Sequence, residues 1–315
     1  MKKFNNRPKA IVSGSTGLIG PALCSHLQEN GYDILCLARK QRTQEEIIKL
    51  FGQKVNYLAI PLEQVCLEAN VEKLLNWAKD SHPIFFNLAW QGLSKLTDGS
   101  IEDQVHNVHL CANAVKVAQS IGCQKFINAG TIQETYFEQF LDGKSSEVIK
   151  NGQSEYTIAK LAARDMCKIQ AYFSKIDFIH ARLSAPIDFS LKSGGYITNT
   201  LKQILAKQDY TPPSNPQLYD LVSLEDVAKA LRLLGEYGRN KFDYYIGPGN
   251  PINLSALFEY FVSAVNAGTP SNLVDHYEPI NLGKPTIFDN SLLLNHTGFC
   301  PLDTFCSIVK KSTSS

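Results

Sequence analysis

Lys9-Ala10-Ile11-Val12-Ser13-Gly14-Ser15-Thr16-Gly17-Leu18-Ile19-Gly20 is the stretch on which the rest of the chain is organised. Lys9 to Ser13 is a short apolar run with β-branched residues, the pattern of a buried strand, and Leu23, Cys24 and Leu27 then recur at helical spacing. Between them Gly14, Gly17 and Gly20 stand three residues apart. Strand, glycine turn, helix is the context a dinucleotide-binding turn requires: a backbone free of Cβ where a pyrophosphate approaches, and a helix start offering unpaired N–H groups and the positive end of its dipole. Alone the glycines would mark only a tight turn. Their place ahead of a repeating strand–helix pattern is what gives them weight.

The repeating pattern follows. Apolar runs at 33–37, 55–60, 84–88, 125–128 and 176–182 read as strands, and helical periodicity occupies 71–79, 101–121 and 154–173. Strands alternating with helices predict a doubly wound, parallel α/β Rossmann sheet with right-handed crossovers and ligands at the carboxyl ends of the strands. Beyond Arg182 the pattern gives way to short segments broken by Gly194-Gly195, Pro212-Pro213 and Asn215-Pro216. A smaller C-terminal substrate lobe over 183–315 is therefore expected beside a dinucleotide-binding domain over 1–182, with the helical stretch 224–240 packing back onto the larger domain. The stretch 254–265 is amphipathic, and 301–309 closes the chain before a polar tail.

Composition sets limits on function. The 315 residues carry a net charge of +1 and 44% hydrophobic residues, ordinary for a globular protein and without the basic surface of a nucleic-acid binder. No apolar run approaches the roughly 18 residues of a membrane span, and the N-terminus has no signal-like apolar segment. The eight cysteines form no CxxC pair and fall largely in apolar patterns, which suits a reducing cytoplasm and gives no metal site. A soluble, unprocessed cytoplasmic protein is expected.

Tyr156 and Lys160 stand four apart in a predicted helix, on one face and a turn apart. Such a pair arises by chance, but Thr131 falls just past the fifth strand, so all three belong to the carboxyl rim of the sheet. A phenol ordinarily titrates near 10, and a neighbouring ammonium favours its anion. The expected chemistry is proton exchange between Tyr156 and a hydroxyl or carbonyl, with Thr131 hydrogen-bonding the same oxygen.

With these residues the chain resembles the extended short-chain dehydrogenase/reductase family of nucleotide-sugar epimerases, dehydratases and ketoreductases. The glycine motif Gly14-Ser15-Thr16-Gly17-Leu18-Ile19-Gly20 matches, Asn87-Leu88-Ala89 is similar to the segment lining the nicotinamide, and Tyr156-Thr157-Ile158-Ala159-Lys160 matches the catalytic motif with Thr131 as its Ser/Thr. Tyr219-Asp220-Leu221-Val222-Ser223-Leu224-Glu225-Asp226 resembles the family's substrate-lobe segment, and Asn107 the asparagine that supports the active site. The resemblance implies catalysis by Thr131, Tyr156, Lys160 and Asn107. It implies cofactor contacts from the glycine motif, Leu62, Leu88, Ala89, Tyr156 and Lys160, and substrate contacts from Trp90, Gln91, Thr131, Ile132, Tyr156, Ser184 and Tyr219. A homodimer through the helices at 101–121 and 154–173 is also implied.

Departures from the pattern refine the expectation. Arg39 and Lys40 follow the second strand where NAD users carry an acid, which favours NADP through its 2′-phosphate, with NAD as the alternative. Pro61-Leu62 replaces an acidic residue near adenine, and Ala185 and Tyr219 replace an asparagine and an arginine of the sugar-nucleotide pattern. Ile132-Gln133 stands where dehydratases carry Asp-Glu, and Glu134 is one residue late. The reading is an NADP-dependent nucleotide-sugar 4-ketoreductase. The alternatives are a 4-epimerase with retained NAD and, in another class, a catalytically silent NADP-binding sensor or scaffold.

Overall fold

The computed structural model describes residues 7–92, 100–144, 154–188, 190–192, 194–213, 218–266 and 286–302. Its core is a seven-stranded sheet. In chain order the first half runs β1 (Lys9–Ser13), α1 (Gly20–Glu29), β2 (Asp33–Ala38), α2 (Gln44–Phe51), β3 (Asn56–Ala59), α3 (Glu68–Ala78), β4 (Ile84–Asn87), α4 (Ile101–Ser120), β5 (Lys125–Thr131), α5 (Gln133–Leu141), α6 (Ser154–Ser174) and β6 (Asp177–Leu183). The second half adds β7 (Ala185–Ile187), α7 (Tyr196–Leu205), β8 (Leu218–Tyr219), β9 (Leu221–Ser223), α8 (Leu224–Tyr237), β10 (Asp243–Ile246), β11 (Ile252–Asn253), α9 (Leu254–Asn266) and α10 (Ser291–Thr297).

The sheet order is β10-β6-β5-β4-β1-β2-β3, and β1 pairs in parallel with both β2 and β4. Strand order therefore reverses at β1, and the crevice beyond its carboxyl end is the topological switch point where α/β sheets bind ligands. This is the expected Rossmann architecture. α2, α5 and β10 are additions to the sequence reading. α2 is short but closed at both ends, by a Thr43–Glu46 capping box and by Gly52 in the left-handed region. The closing stretch 301–309 lies almost wholly outside the described residues.

One face of the sheet changes character along the strands. Phe85, Phe126 and Phe178 stack in sequence across β4, β5 and β6, with ring centroids 5.1 and 6.3 Å apart, in a cluster that α4 and α6 complete with Leu110, Val115, Ala163 and Cys167. Such aromatic pairs add about 0.5–1.5 kcal/mol each beyond the area they bury. Two residues further on, hence on the same face, stand Asn87, Asn128 and His180, all buried. The apolar ladder thus ends in polar side chains at the carboxyl edge.

The chain forms two compact units. The first comprises Met1–Arg182 with Ala228–Tyr244, and the second Leu183–Val227 with Tyr245–Ser315. The second has its own core, in which α7 and α9 bring Leu201, Ile204, Leu257, Phe258 and Phe261 together. Among the described residues no helix is long and apolar enough to cross a membrane.

Candidate active site

The glycine turn is built by close approach. Gly14 has φ +70°, and a Cβ there would stand 2.7 Å from the Ala89 nitrogen; a Cβ on Gly20 would collide with the Ser15 carbonyl. The turn thus presses against the segment after β4 on one side and brings α1 onto its own start on the other. Gly17 N–H donates to Gly14 O at 3.0 Å, Ser15 N–H to Leu37 O at 3.2 Å, and Leu88 N–H to Ser13 O at 3.1 Å. Ile19 caps α1 without a side-chain hydrogen bond, and Pro21 occupies its first turn, so the helix start presents backbone N–H groups.

A cavity of about 500 Å³ opens from this turn, lined by Ser13, Gly14, Thr16, Gly17 and Leu18, then by Arg39, Ile60, Pro61, Leu62, Leu88, Ala89, Trp90, Gln91 and Asn107. Ser15 and Ile19 shape the turn behind it. Arg39 lines the cavity at the end of β2, whereas Lys40 is exposed and accepts the Tyr57 hydroxyl at 2.6 Å through its backbone oxygen. Apolar Ile60, Pro61 and Leu62 form a wall suited to the flat face of a base. A Cβ-free turn, a helix start and a basic residue at the far end fit a dinucleotide.

Thr131 ends β5, and Tyr156 and Lys160 lie one turn apart in α6, both buried. The Tyr156 hydroxyl is hydrogen-bonded to Thr131. Lys160 Nζ donates to Ala129 O at 2.8 Å and lies 3.8 Å from the centre of the Trp90 ring and 5.8 Å from that of Tyr156. Trp90 meets Tyr156 edge-on at 5.9 Å, and its indole N–H donates to Gln104 Oε1 at 3.0 Å. Asn107 clamps the next residue: its Oδ1 accepts Gln91 N–H at 2.9 Å, and its Nδ2 donates to Gln91 O at 3.2 Å. Trp90 therefore joins the Thr131–Tyr156–Lys160 cluster to the cavity wall.

The electrostatics differ from the expectation that Lys160 lowers the phenol. Burial and the Glu134 charge push Tyr156 well above the ordinary phenol range, against the Thr131 hydrogen bond. Burial also lowers Lys160. The physical reason is distance and engagement, since the ammonium is spent on a carbonyl and an indole face rather than on the phenol oxygen. Burial thus shifts both groups toward their neutral forms, and the Tyr156 phenol stays protonated.

Ile132 is buried beside Thr131 and begins α5. Ser184 and Tyr219 belong to the second unit. There the Ser184 hydroxyl donates to Asp220 O and accepts from the Tyr245 hydroxyl at 2.9 Å, so it is engaged within its own unit. Tyr219 pairs with Ile252 between β8 and β11. Two features escaped the sequence reading. Arg42, just before α2, hydrogen-bonds the Tyr57 hydroxyl. Glu134, read there only as a misplaced dehydratase acid, is fully buried with His180 beneath Thr131. The signal for the second was an ionisable residue at the inward-facing positions of β6, visible once strand order is known.

The fold and this cluster define a Rossmann-type α/β protein with Thr131, Tyr156 and Lys160 gathered near the carboxyl edge of its sheet. Residues 10–247 match the model of the NAD dependent epimerase/dehydratase family, and the chain belongs to that family, within the extended short-chain dehydrogenase/reductases. A sequence search among curated proteins finds no match. Solved structures extend the likeness along the whole chain. UDP-glucose 4-epimerase from Thermotoga maritima has a TM-score of 0.70 at 17% identity over 97% of both chains. UDP-glucuronic acid 4-epimerase from Bacillus cereus has 0.71 at 14%, covering 97% of this chain and 98% of that one. UDP-N-acetylglucosamine 4-epimerase from Methanobrevibacter ruminantium has 0.71 at 15%, covering 98% and 97%. At these identities the likeness concerns the fold.

Proposed function

We propose that the protein reduces the keto group of a nucleotide-linked sugar, a 4-keto-6-deoxy hexose reduced at C4, with Tyr156 giving the proton. The observation carrying this reading is the buried Tyr156 hydroxyl, hydrogen-bonded to Thr131 and held in its protonated form, beside the cavity that begins at the glycine turn. A bound nicotinamide dinucleotide supplies the hydride. Gly14, Thr16, Gly17 and Leu18 would cradle its phosphates, Leu62 its base, Leu88 and Ala89 its nicotinamide end, and Arg39 the 2′-phosphate that favours NADP. Thr131 orients the carbonyl oxygen, and Tyr156 protonates it as negative charge develops. Lys160 and Asn107 hold the catalytic segment, and Trp90, Gln91 and Ile132 are assigned to the sugar.

Ile132 and Gln133 follow Thr131, and Glu134 is committed to His180 and the Thr131 N–H, which argues against dehydration. The second reading, a 4-epimerase with retained NAD, is favoured by the names of the similar solved structures. One experiment separates the readings: incubation with a panel of nucleotide 4-keto sugars, with NADPH and NADH in parallel, followed by absorbance and product NMR. Stoichiometric NADPH oxidation, faster than with NADH, is expected. Sugar inversion without net cofactor consumption would establish the epimerase instead. Cofactor binding with no turnover anywhere on the panel would favour a sensor or scaffold.

The free thiols of the seven described cysteines suit the reducing cytoplasm in which we place the protein. For assembly, Ile101 and Val105 on α4 and Ile158, Met166, Ile169 and Phe173 on α6 are exposed apolar residues on two adjacent helices. A second copy covering them through a four-helix contact is the proposed state. Light scattering at micromolar concentration should give twice the chain mass of 35.0 kDa, and a monomeric mass would refute it.

A further inference from the structure

Beneath Thr131 the sheet carries a line of buried polar side chains that the reaction above does not use. Ser13 Oγ donates to Asn87 Oδ1 at 2.7 Å, Asn87 Nδ2 to Asn128 Oδ1 at 2.9 Å, and Asn128 Nδ2 approaches His180 Nδ1 at 3.3 Å. His180 Nε2 then meets Glu134 Oε2 at 2.6 Å, and Glu134 Oε1 accepts the Thr131 N–H at 2.8 Å. With Asn128 donating, Nδ1 of His180 is the acceptor, so Nε2–H is the donor to the carboxylate; every link from Ser13 to Glu134 has the same polarity, and the Thr131 N–H donates to the carboxylate from the opposite side. The line crosses β1, β4, β5 and β6 in their spatial order, from a residue lining the cavity to a carboxylate under the catalytic threonine.

Space has been made for its last link. A Cβ at residue 130 would collide with the His180 ring and stand 2.6 Å from Glu134 Oε1, so glycine is required there without any demand from φ. Glu134 and His180 both have side chains of zero exposure. Burying a carboxylate costs several kcal/mol, and a neutral amide of the same shape could accept the Thr131 N–H equally well. The charge is the part that hydrogen bonding alone leaves unexplained.

We propose that Glu134 and His180 are positioning residues for the Thr131–Tyr156 pair: the carboxylate holds Thr131 by its N–H and sets a buried negative charge beside the pair, and His180 holds the carboxylate. The inference rests on the reading of Tyr156 as proton donor. Burial alone would raise the Glu134 carboxyl, but His180, Arg182 and the Thr131 N–H hold it below the usual carboxylate range, so it is charged at neutral pH. Its charge in turn adds to burial in keeping Tyr156 protonated. The surrounding charges leave that field in place. From β6, Arg182 Nε is 3.4 Å from Glu134, but its Nη2 pairs with Glu138 of α5 at 2.6 Å and lies 3.4 Å from Asp243 of β10. Arg164 and Lys168 of α6 are likewise paired with Glu138 and Asp243. Lys160, the other cation facing Tyr156, is held by Ala129 O and Trp90, with the Cys111 thiol of α4 and Cys167 of its own helix near its charge.

The test is a titration that needs no substrate. Protein labelled with ¹³C at tyrosine Cζ gives a Tyr156 signal, identified by its loss in Tyr156→Phe, whose midpoint is followed with pH. In the wild type it should remain protonated beyond the range in which exposed tyrosines titrate. Glu134→Gln keeps an acceptor for Thr131 and removes the charge, and should lower the Tyr156 midpoint by about one pH unit or more. Glu134→Met, apolar and of similar length, covers the case in which the amide is not tolerated and should shift the midpoint the same way. His180→Gln keeps a donor to the carboxylate and should leave the midpoint near the wild-type value. An unmoved midpoint in folded Glu134→Gln or Glu134→Met would overturn the proposal while leaving the reductase reading untouched. Absence of a keto-sugar substrate would count against that reading and not against the titration.

Discussion

Two buried lysines mark the two ends of β5, and they are satisfied in opposite ways. Lys125 opens the strand and donates to three carbonyls around the end of α8, Leu234 at 3.4 Å and Gly235 and Gly238 at 2.9 Å. Three donors meet three acceptors at the negative end of a helix dipole, and the group is a structural pin. Lys160 reaches the other end of the same strand, where among the described residues it donates one hydrogen bond, to Ala129 O, and faces the Trp90 ring. Aromatic faces attract the charge without using up its hydrogens directionally. Lys160 therefore keeps donor capacity for a ligand, which Lys125 does not. Burial lowers the protonation range of both, so burial by itself does not distinguish a working ammonium from a structural one. The hydrogen-bond inventory does.

Substitutions should break this symmetry of burial most strongly in kinetics. Lys160→Met should lower kcat on the keto substrate by about a thousandfold, within the range that positioned acid–base groups contribute, and leave Tm unchanged or raised. Steady-state kinetics with calorimetry on one preparation would check it, and a loss of turnover explained wholly by unfolding would reject it. Lys125→Met should do the reverse. It orphans carbonyls at a helix end and should cost about 3 kcal/mol of unfolding free energy, with turnover within about twofold of wild type. If it removed as much turnover as Lys160→Met, the distinction between the two ends would fail.

The smallest effect is one of sign. Lys125 has its protonation range lowered in the folded state, so above that range the unfolded chain binds more protons than the native one. As pH rises toward the ordinary lysine value of about 10.4, the wild type should gain stability relative to Lys125→Met. Paired thermal melts between neutral pH and that value would read the gap. A gap that narrowed would mean that Lys125 is held more tightly as a cation than its carbonyl partners imply.

The same contrast explains what sequence could reveal. The glycine turn and the Tyr156–Lys160 spacing are local patterns, imposed by one strand–helix junction and one helix face, and they need no knowledge of the rest of the fold. The doubly wound parallel sheet likewise follows from the alternation of strands and helices. Glu134 and His180 are 46 residues apart, and their pairing depends on β5 and β6 being neighbours and on α5 turning inward immediately after Thr131. α5 itself lacks a readable period because it buries Glu134 and Phe137 yet exposes Phe140 and Leu141. β10 is four residues long and follows a loop, too short for alternation to register. The electrostatic state of Tyr156 is hidden from sequence for a related reason: sequence places Lys160 one turn away but does not say that Ala129 O and Trp90 engage its ammonium.

Asn107 has a mechanical consequence. By binding both the N–H and the C=O of Gln91, one side chain of α4 treats the loop after β4 as though it were a further strand residue. Gln91 then has no hinge of its own, and Trp90, tied to Gln104 of the same helix, is anchored one turn away. A displacement of α4 along its axis is delivered to both residues together. The helix acts as a push-rod whose joints are the two amide side chains of Gln104 and Asn107.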